Sequence, residues 1–280
     1  MGIEVLLAAT VARAAPLALA AMGGYASERS GVINIGLEGK MLAAACVMAV
    51  VGARTGNAVA GLAAAILASV LLSLLHWLMT QTYRVDHVIS GMAINAVAFG
   101  GVNYAAGTFL EPGSAIPRLS ENVFYAAAVL IPLGLAWGSR STRPGLRFLA
   151  VGSDPDKARL LGLRPGMVRA WALCATGVCT GLSGAMILNG VGNLTDTMTA
   201  GRGFIALAAL ILGSWRPLPA LLACLLFGFL EALQLVLQGT SMGGVRIPSE
   251  VWNALPYLAT LLALGGFMGR TKAPAGLGKP

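Results

Sequence analysis

An all-α, polytopic membrane bundle is the fold class this sequence predicts, and three observations predict it. Apolar residues make up 57% of the 280 and charged residues 11%, where a soluble domain carries about a quarter of its residues charged. Mean hydropathy is +0.78, more apolar surface than one soluble core can hide. The apolar residues also come in runs near the roughly 20 residues that a helix needs to cross a hydrocarbon layer about 30 Å thick.

The runs cover about 3–24, 31–53, 57–80, 88–110, 122–138, 167–189, 201–215, 217–238 and 250–269. They predict about nine spans, the seventh short, in a single transmembrane domain over 1–280. A spanning segment must satisfy its own backbone, so it is a helix or part of a closed barrel. Runs this long lack the alternation of barrel strands, which leaves helices. The first run is read as a retained span, because Glu4 precedes it and Arg13 interrupts it, unlike a cleaved leader.

Lys and Arg set orientation. The segment 139–169 holds Arg140, Arg143, Arg147, Lys157, Arg159, Arg164 and Arg169, and the tail over about 270–280 adds Arg270, Lys272 and Lys279. Both belong in the cytoplasm, and counting spans backwards puts the amino terminus outside. A net charge of +8 therefore marks loops that obey the positive-inside rule. It does not mark a nucleic-acid surface, which needs basic residues clustered on a soluble face.

Cys46, Cys174, Cys179 and Cys224 lie within apolar runs with no CxxC or Cys/His cluster, which predicts core thiols and no metal site. His76 and His87 are the only histidines; neither joins a Ser/Asp or metal-ligand set, so no catalytic residues are assigned. Gly177, Gly181 and Gly184 keep near one face of a helix, as close packing in lipid requires.

The loop over about 139–166 contains Ser153-Asp154-Pro155-Asp156-Lys157-Ala158-Arg159-Leu160-Leu161-Gly162, a helix start and stop. Ser153 or Asp154 caps, Pro155 suits the first turn, Asp156 favours the positive end of the dipole and Gly162 suits the exit. Two turns span only about 12 Å, too short to cross. Leu160 and Leu161 give the helix an apolar edge, for lipid headgroups or for a partner protein.

Polar residues inside spans usually face a bundle interior or a wet path. Asn34 and Glu38, four apart, are expected on one face of the second span, with Lys40 on another; Glu28, Arg29, Glu38 and Lys40 could instead form an interfacial charge network. Glu231 and Gln234 share a face of the eighth span, as Asn95 and Asn103 do on the fourth. Asn189, Asn193 and Asp196 stand before the short seventh run. Phe99, Tyr104, Phe204 and Trp252 are the aromatic residues available to stack on a planar ligand. Hydrogen bonding between helices competes with substrate contact at each of the amides.

The string Ser27-Glu28-Arg29-Ser30-Gly31-Val32-Ile33-Asn34-Ile35-Gly36-Leu37-Glu38-Gly39-Lys40 resembles the signature of ABC permeases that import nucleosides. These belong to a superfamily with ribose-type and branched-chain amino-acid permeases. The resemblance continues through Arg84–Gly91 with Asn95, Arg147–Gly152, Gly203–Ala209 and Phe227–Gln234, nearly the whole chain. It implies a type II-like importer permease that lacks the first of ten ribose-type helices, in agreement with an external amino terminus. It also implies that Ser153–Gly162 is the coupling helix seated in a groove of the ATP-binding subunit. Asn34, Glu38, Asn95, Asn103, Phe204, Glu231 and Gln234 are the expected substrate path.

No GxxxxGK[ST] loop occurs in the chain, so ATP and Mg are expected on the partner. The resemblance implies three protein partners in a bacterial inner membrane: an ABC ATP-binding subunit, a second permease subunit (a related paralogue or a second copy) and an extracytoplasmic substrate-binding protein. Membrane lipid surrounds the chain; no nucleic acid and no resident cofactor are expected. A simple-sugar permease is the alternative of the same class, and a proton-coupled transporter using Glu38 or Glu231 is the alternative of another.

Overall fold

The computed structural model describes the chain apart from residues 1, 111–112, 196, 239–240, 243–244, 280 and most of 247–271. Its helices are α1 (Ile3–Arg29), α2 (Leu37–Thr55), α3 (Ala58–Trp77, prolonged by the π-helical turn Leu78–Thr82), α4 (His87–Phe109) and α5 (Glu121–Ser141). They continue with α6 (Arg143–Ser153), α7 (Pro155–Leu160), α8 (Pro165–Val191), α9 (Arg202–Leu212) and α10 (Pro217–Leu237). A two-residue antiparallel pair, Ser241–Met242 with Val245–Arg246, follows.

Local chemistry starts several helices where they start. The Asn57 side chain accepts the amides of Val59 and Ala60, Asp86 those of Val88 and Ile89, and Thr142 that of Gly145, in each case filling orphan donors of a first turn.

Six of these helices are long and apolar enough to cross a membrane: α1, α3 with its π turn, α4, α5, α8 and α10. The other three expected spans resolve differently. The second begins at Leu37 instead of 31, because the chain before it is not helical. The seventh is the 11-residue α9, about 16 Å at 1.5 Å per residue, half a hydrocarbon core. The run 250–269, with Trp252 at its start, falls largely outside the described residues.

α1 and α8 form the centre. Leu17, Leu19, Ala20, Ala21 and Met22 are fully buried in turn, so α1 is covered on every face, by α10, α8, α9 and α5. α8 lies between α1, α3 and α2. Hydroxyls tie these helices together: Ser183 donates to the Pro16 carbonyl at 2.7 Å and Thr176 to the Gly23 carbonyl at 2.8 Å, and the Ser69 and Thr180 hydroxyls are hydrogen-bonded at 2.7 Å.

The glycine face of α8 packs as its spacing predicts. A Cβ at Gly177 or Gly181 would press on the backbone of Val70 or Ile66 in α3, and one at Gly184 would collide with the Met41 carbonyl in α2. Gly134 in α5 has open space where its Cβ would stand. Gly184→Ala therefore costs about 1–3 kcal/mol of stability, the range for overpacking, while Gly134→Ala costs little; thermal unfolding of the two variants in one detergent checks the difference.

One end of the bundle collects the basic residues. There the Gly276 amide donates to the Gly152 carbonyl and the Gly278 amide to the Gly31 carbonyl. The carboxyl-terminal tail, the α1–α2 connection and the α6–α7 pair thus meet at this basic end. The four cysteines are free, three of them buried.

Candidate functional site: a broken helix, a polar cavity and an exposed helix

Between α1 and α2 the signature string leaves the helix. Residues 32–34 have no regular structure, and Val32, Asn34 and Gly36 are buried. Buried backbone of this kind persists only when other groups satisfy it. Four side chains from other helices do so. His87 Nδ1 accepts the Ile33 amide at 3.2 Å, and His76 Nε2 meets the Ile33 carbonyl at 3.0 Å. A carbonyl only accepts, so His76 carries its proton on Nε2, and its Nδ1 takes the Ser90 hydroxyl at 2.8 Å. Asn95 donates to the Ile35 carbonyl at 3.1 Å and accepts the Gly39 amide at 2.8 Å. Arg169, 1% exposed, donates to the Ser30 carbonyl at 3.2 Å and to Gln81 at 2.6 Å.

Glycine is required at two points of this break. Gly31 sits at φ +105°, with the Arg169 guanidinium and the Gly276 carbonyl 2.9 Å from where a Cβ would stand; at Gly39 a Cβ would lie 2.7 Å from Asn95 Cα.

These contacts correct several expectations. Asn34 precedes α2, so it shares no helical face with Glu38. Lys40 does not point elsewhere: its ammonium donates to Asn34 Oδ1 at 2.8 Å, while Asn34 Nδ2 donates to Ser27 at 3.2 Å. Glu28, Arg29, Glu38 and Lys40 form no ion-pair network among the described residues. Glu28 accepts the Trp215 indole at 2.6 Å. Glu38 accepts the amides of Gly201 and Gly203 at 2.8 and 2.5 Å, capping the positive end of α9. His76 does join a serine, Ser90, but its other nitrogen is spent on a carbonyl, so no acid orients it for nucleophilic chemistry.

A second locus lies at the end opposite the basic one. A cavity of about 250 Å³ opens between α1, α5, α8 and α9, lined by Arg13, Glu121, Tyr125, Asn189 and Arg202 among others. Arg202 reaches Glu231 of α10 at 3.4 Å. Asn189 is occupied: it exchanges two hydrogen bonds with the Leu119 backbone. Phe204 of α9 and Phe99 and Tyr104 of α4 are exposed, at 46%, 40% and 71%. Asn103 makes a long bond, 3.5 Å, to the Phe99 carbonyl; Gln234 stands on α10 three residues after Glu231, and Asn193 is exposed. Asp196 lies outside the described residues. Arg202 is absent from the expected substrate path and Arg13 stands in the sequence reading only as a break in the first run, although an arginine within an apolar run is itself the signal for such a site.

The third locus is α7. Asp154 caps it by accepting the Lys157 amide at 3.0 Å, and that bond, with the Lys157 ammonium 3.2 Å away, holds the Asp154 carboxyl below its usual pKa. Ser153 is not the cap; it closes α6 by bonding back to the Leu149 carbonyl. Gly162 exits at φ +77°. Pro155 and Ala158 are buried, whereas Leu160 and Leu161 are 87% and 78% exposed. A helix seated firmly on the bundle thus presents two bare leucines.

A family model described as the branched-chain amino acid transport system permease component matches residues 6–264. Curated relatives align over almost the whole chain. The guanosine ABC transporter permease protein NupQ of Bacillus subtilis is 34% identical, over 99% of this chain and 96% of its own. The nucleoside ABC transporter permease protein NupC of Lactococcus lactis is 31% identical, over 97% and 95%. A putative glucose ABC transporter permease protein, TsgC13 of Haloferax volcanii, is 30% identical, over 96% and 93%. A helical bundle with a broken, internally satisfied second segment and a full-length match of this kind is a multi-pass membrane permease, and the chain belongs to the family of branched-chain amino acid transport system permease components.

Proposed function

We propose that this chain is the membrane-spanning subunit of an ABC importer for nucleosides. The observation that carries the reading is the end-to-end likeness to a guanosine permease and a nucleoside permease. The likeness to a putative glucose permease keeps a simple sugar as the second reading. In the proposed arrangement the basic end faces the cytoplasm and nine crossings put the amino terminus outside. Residues Ser153–Gly162 act as the coupling helix, with Leu160 and Leu161 in a groove of the ATP-binding subunit, which holds ATP and Mg. A second permease subunit completes the path, and a binding protein delivers substrate from outside.

Within this chain Asn34 and Asn95 serve the path by holding the broken segment in place, and Glu38 serves it by capping α9. Contact with substrate falls to the polar cavity with Arg13 and Arg202, to the exposed Asn103 and Phe204, and to Glu231 and Gln234 on α10. Alternating access then follows from the partner's ATP cycle pulling on α7.

The test is uptake of labelled guanosine into proteoliposomes that contain the whole complex. Uptake is expected to require ATP, to survive collapse of the proton gradient by a protonophore, and to be displaced by excess nucleoside but not by glucose. Uptake that follows the proton gradient without ATP would overturn the importer reading, and displacement by glucose alone would shift the substrate class.

A further inference from the structure

At the basic end two cavities adjoin. The first, about 570 Å³, is lined by Arg29, Arg140, Arg216 and Lys272, with Tyr25 and Trp215, and no carboxylate is in its lining among the described residues. Arg140, Arg216 and Lys272 are exposed and Arg29 is half-buried, and none of the four is in an ion pair among the described residues. The second, about 480 Å³, shares Tyr25 and Ser139 with the first and continues among Gly134, Leu135, Phe148, Trp171 and Ala175. Four cations without a counter-charge attract an anion, and a phosphate is the anion that several arginines recognise best. The apolar cavity leads from that anion site along α5 and α8, two of the membrane-crossing helices.

We infer that these joined cavities bind one anionic phospholipid of the leaflet at the basic end, its phosphate headgroup among Arg29, Arg140, Arg216 and Lys272 and an acyl chain in the groove past Gly134. Charge and shape select the same ligand. A free phosphate or nucleotide would satisfy the cations but leave the groove empty. A neutral lipid would fill the groove but leave the four cations without a counter-charge. An uncompensated basic pocket between helices at one membrane face is a recognised mode of anionic headgroup capture.

The site supports a structural role. Trp215, in the turn from α9 to α10, lines the headgroup cavity and also donates to Glu28, so a bound headgroup braces the α9–α10 turn against the cytoplasmic end of α1.

The experiment is native mass spectrometry of the purified complex, extracted in mild detergent from membranes that contain phosphatidylglycerol and phosphatidylethanolamine. Wild type is expected to retain phosphatidylglycerol selectively. The double variant Arg140→Gln/Arg216→Gln removes two of the four charges and should weaken that retention about 30-fold. Gly134→Leu, whose Cβ meets open space, leaves the charges intact and blocks the groove; it should also release the lipid. Inorganic phosphate and ATP at millimolar concentration should displace nothing. Co-elution of both variants with the partner subunits on size exclusion shows that they fold. Unselective retention, retention unchanged in the double variant, retention unchanged in Gly134→Leu, or displacement by free phosphate each overturns the lipid assignment.

Discussion

Replacing Leu160 and Leu161 together by Asp is expected to abolish nucleoside uptake while the protein inserts, folds and assembles its own bundle normally. Both side chains are bare in this subunit, at 87% and 78% exposure, and surface substitutions away from special features change stability by only about 0.5 kcal/mol. The loss falls on the docking contact. Burying a leucine is worth about 1.5–3 kcal/mol, so two charged replacements weaken the seat of α7 by a factor of about 100 or more. ATP hydrolysis by the partner should continue, or rise to its uncoupled rate, with no matching uptake. Parallel assays of ATPase and uptake on one preparation check this. Uptake at the wild-type rate would remove α7 from the coupling path.

Asn95→Leu is expected to act oppositely, on the fold before the transport cycle. Asn95 is 7% exposed and serves two backbone groups of the break, the Ile35 carbonyl and the Gly39 amide. Leucine has the same number and branching of side-chain heavy atoms but serves neither. Each buried group left without a partner costs about 1–3 kcal/mol, so the variant loses about 2–6 kcal/mol in all. That is a large part of the margin of about 5–15 kcal/mol typical of folded proteins. The expected readout is a sharply lowered unfolding temperature in detergent, with residual uptake in proportion to the folded fraction. Wild-type stability with lost uptake would instead mark Asn95 as a substrate ligand.

The short helix α7 was legible because its signals are local. Asp154, Pro155, Asp156 and Gly162 act on their immediate neighbours, and the observed helix, Pro155–Leu160, follows them; only the choice of cap needed coordinates. The break in the second segment was not legible from hydropathy. Residues 31–53 read as one apolar run, and the run length is indifferent to whether its first residues are helical. The local hint was there in Gly31, Asn34, Gly36 and Gly39, four poor helix residues within nine positions.

What the sequence withheld were the partners. Arg169 looked like one more loop arginine, and its burial depends on Ser30 and Gln81, 139 and 88 residues away. Likewise Glu38 and Glu28 looked like members of a charge network until α9 and the turn after it supplied two backbone amides and an indole as their donors.

In the proposed mechanism energy enters this chain through α7 from an ATP-hydrolysing partner. A cysteine placed by Leu160→Cys is a direct probe, because the native cysteines lie within α2, α8 and α10, three of them buried, and position 160 is exposed. Treating membranes that contain the whole complex with a short thiol-to-amine crosslinker should join this chain to the ATP-binding subunit, with a yield that changes between ATP-bound and nucleotide-free states. ATP-driven uptake by the same variant with no crosslink to that subunit in either state would contradict the account.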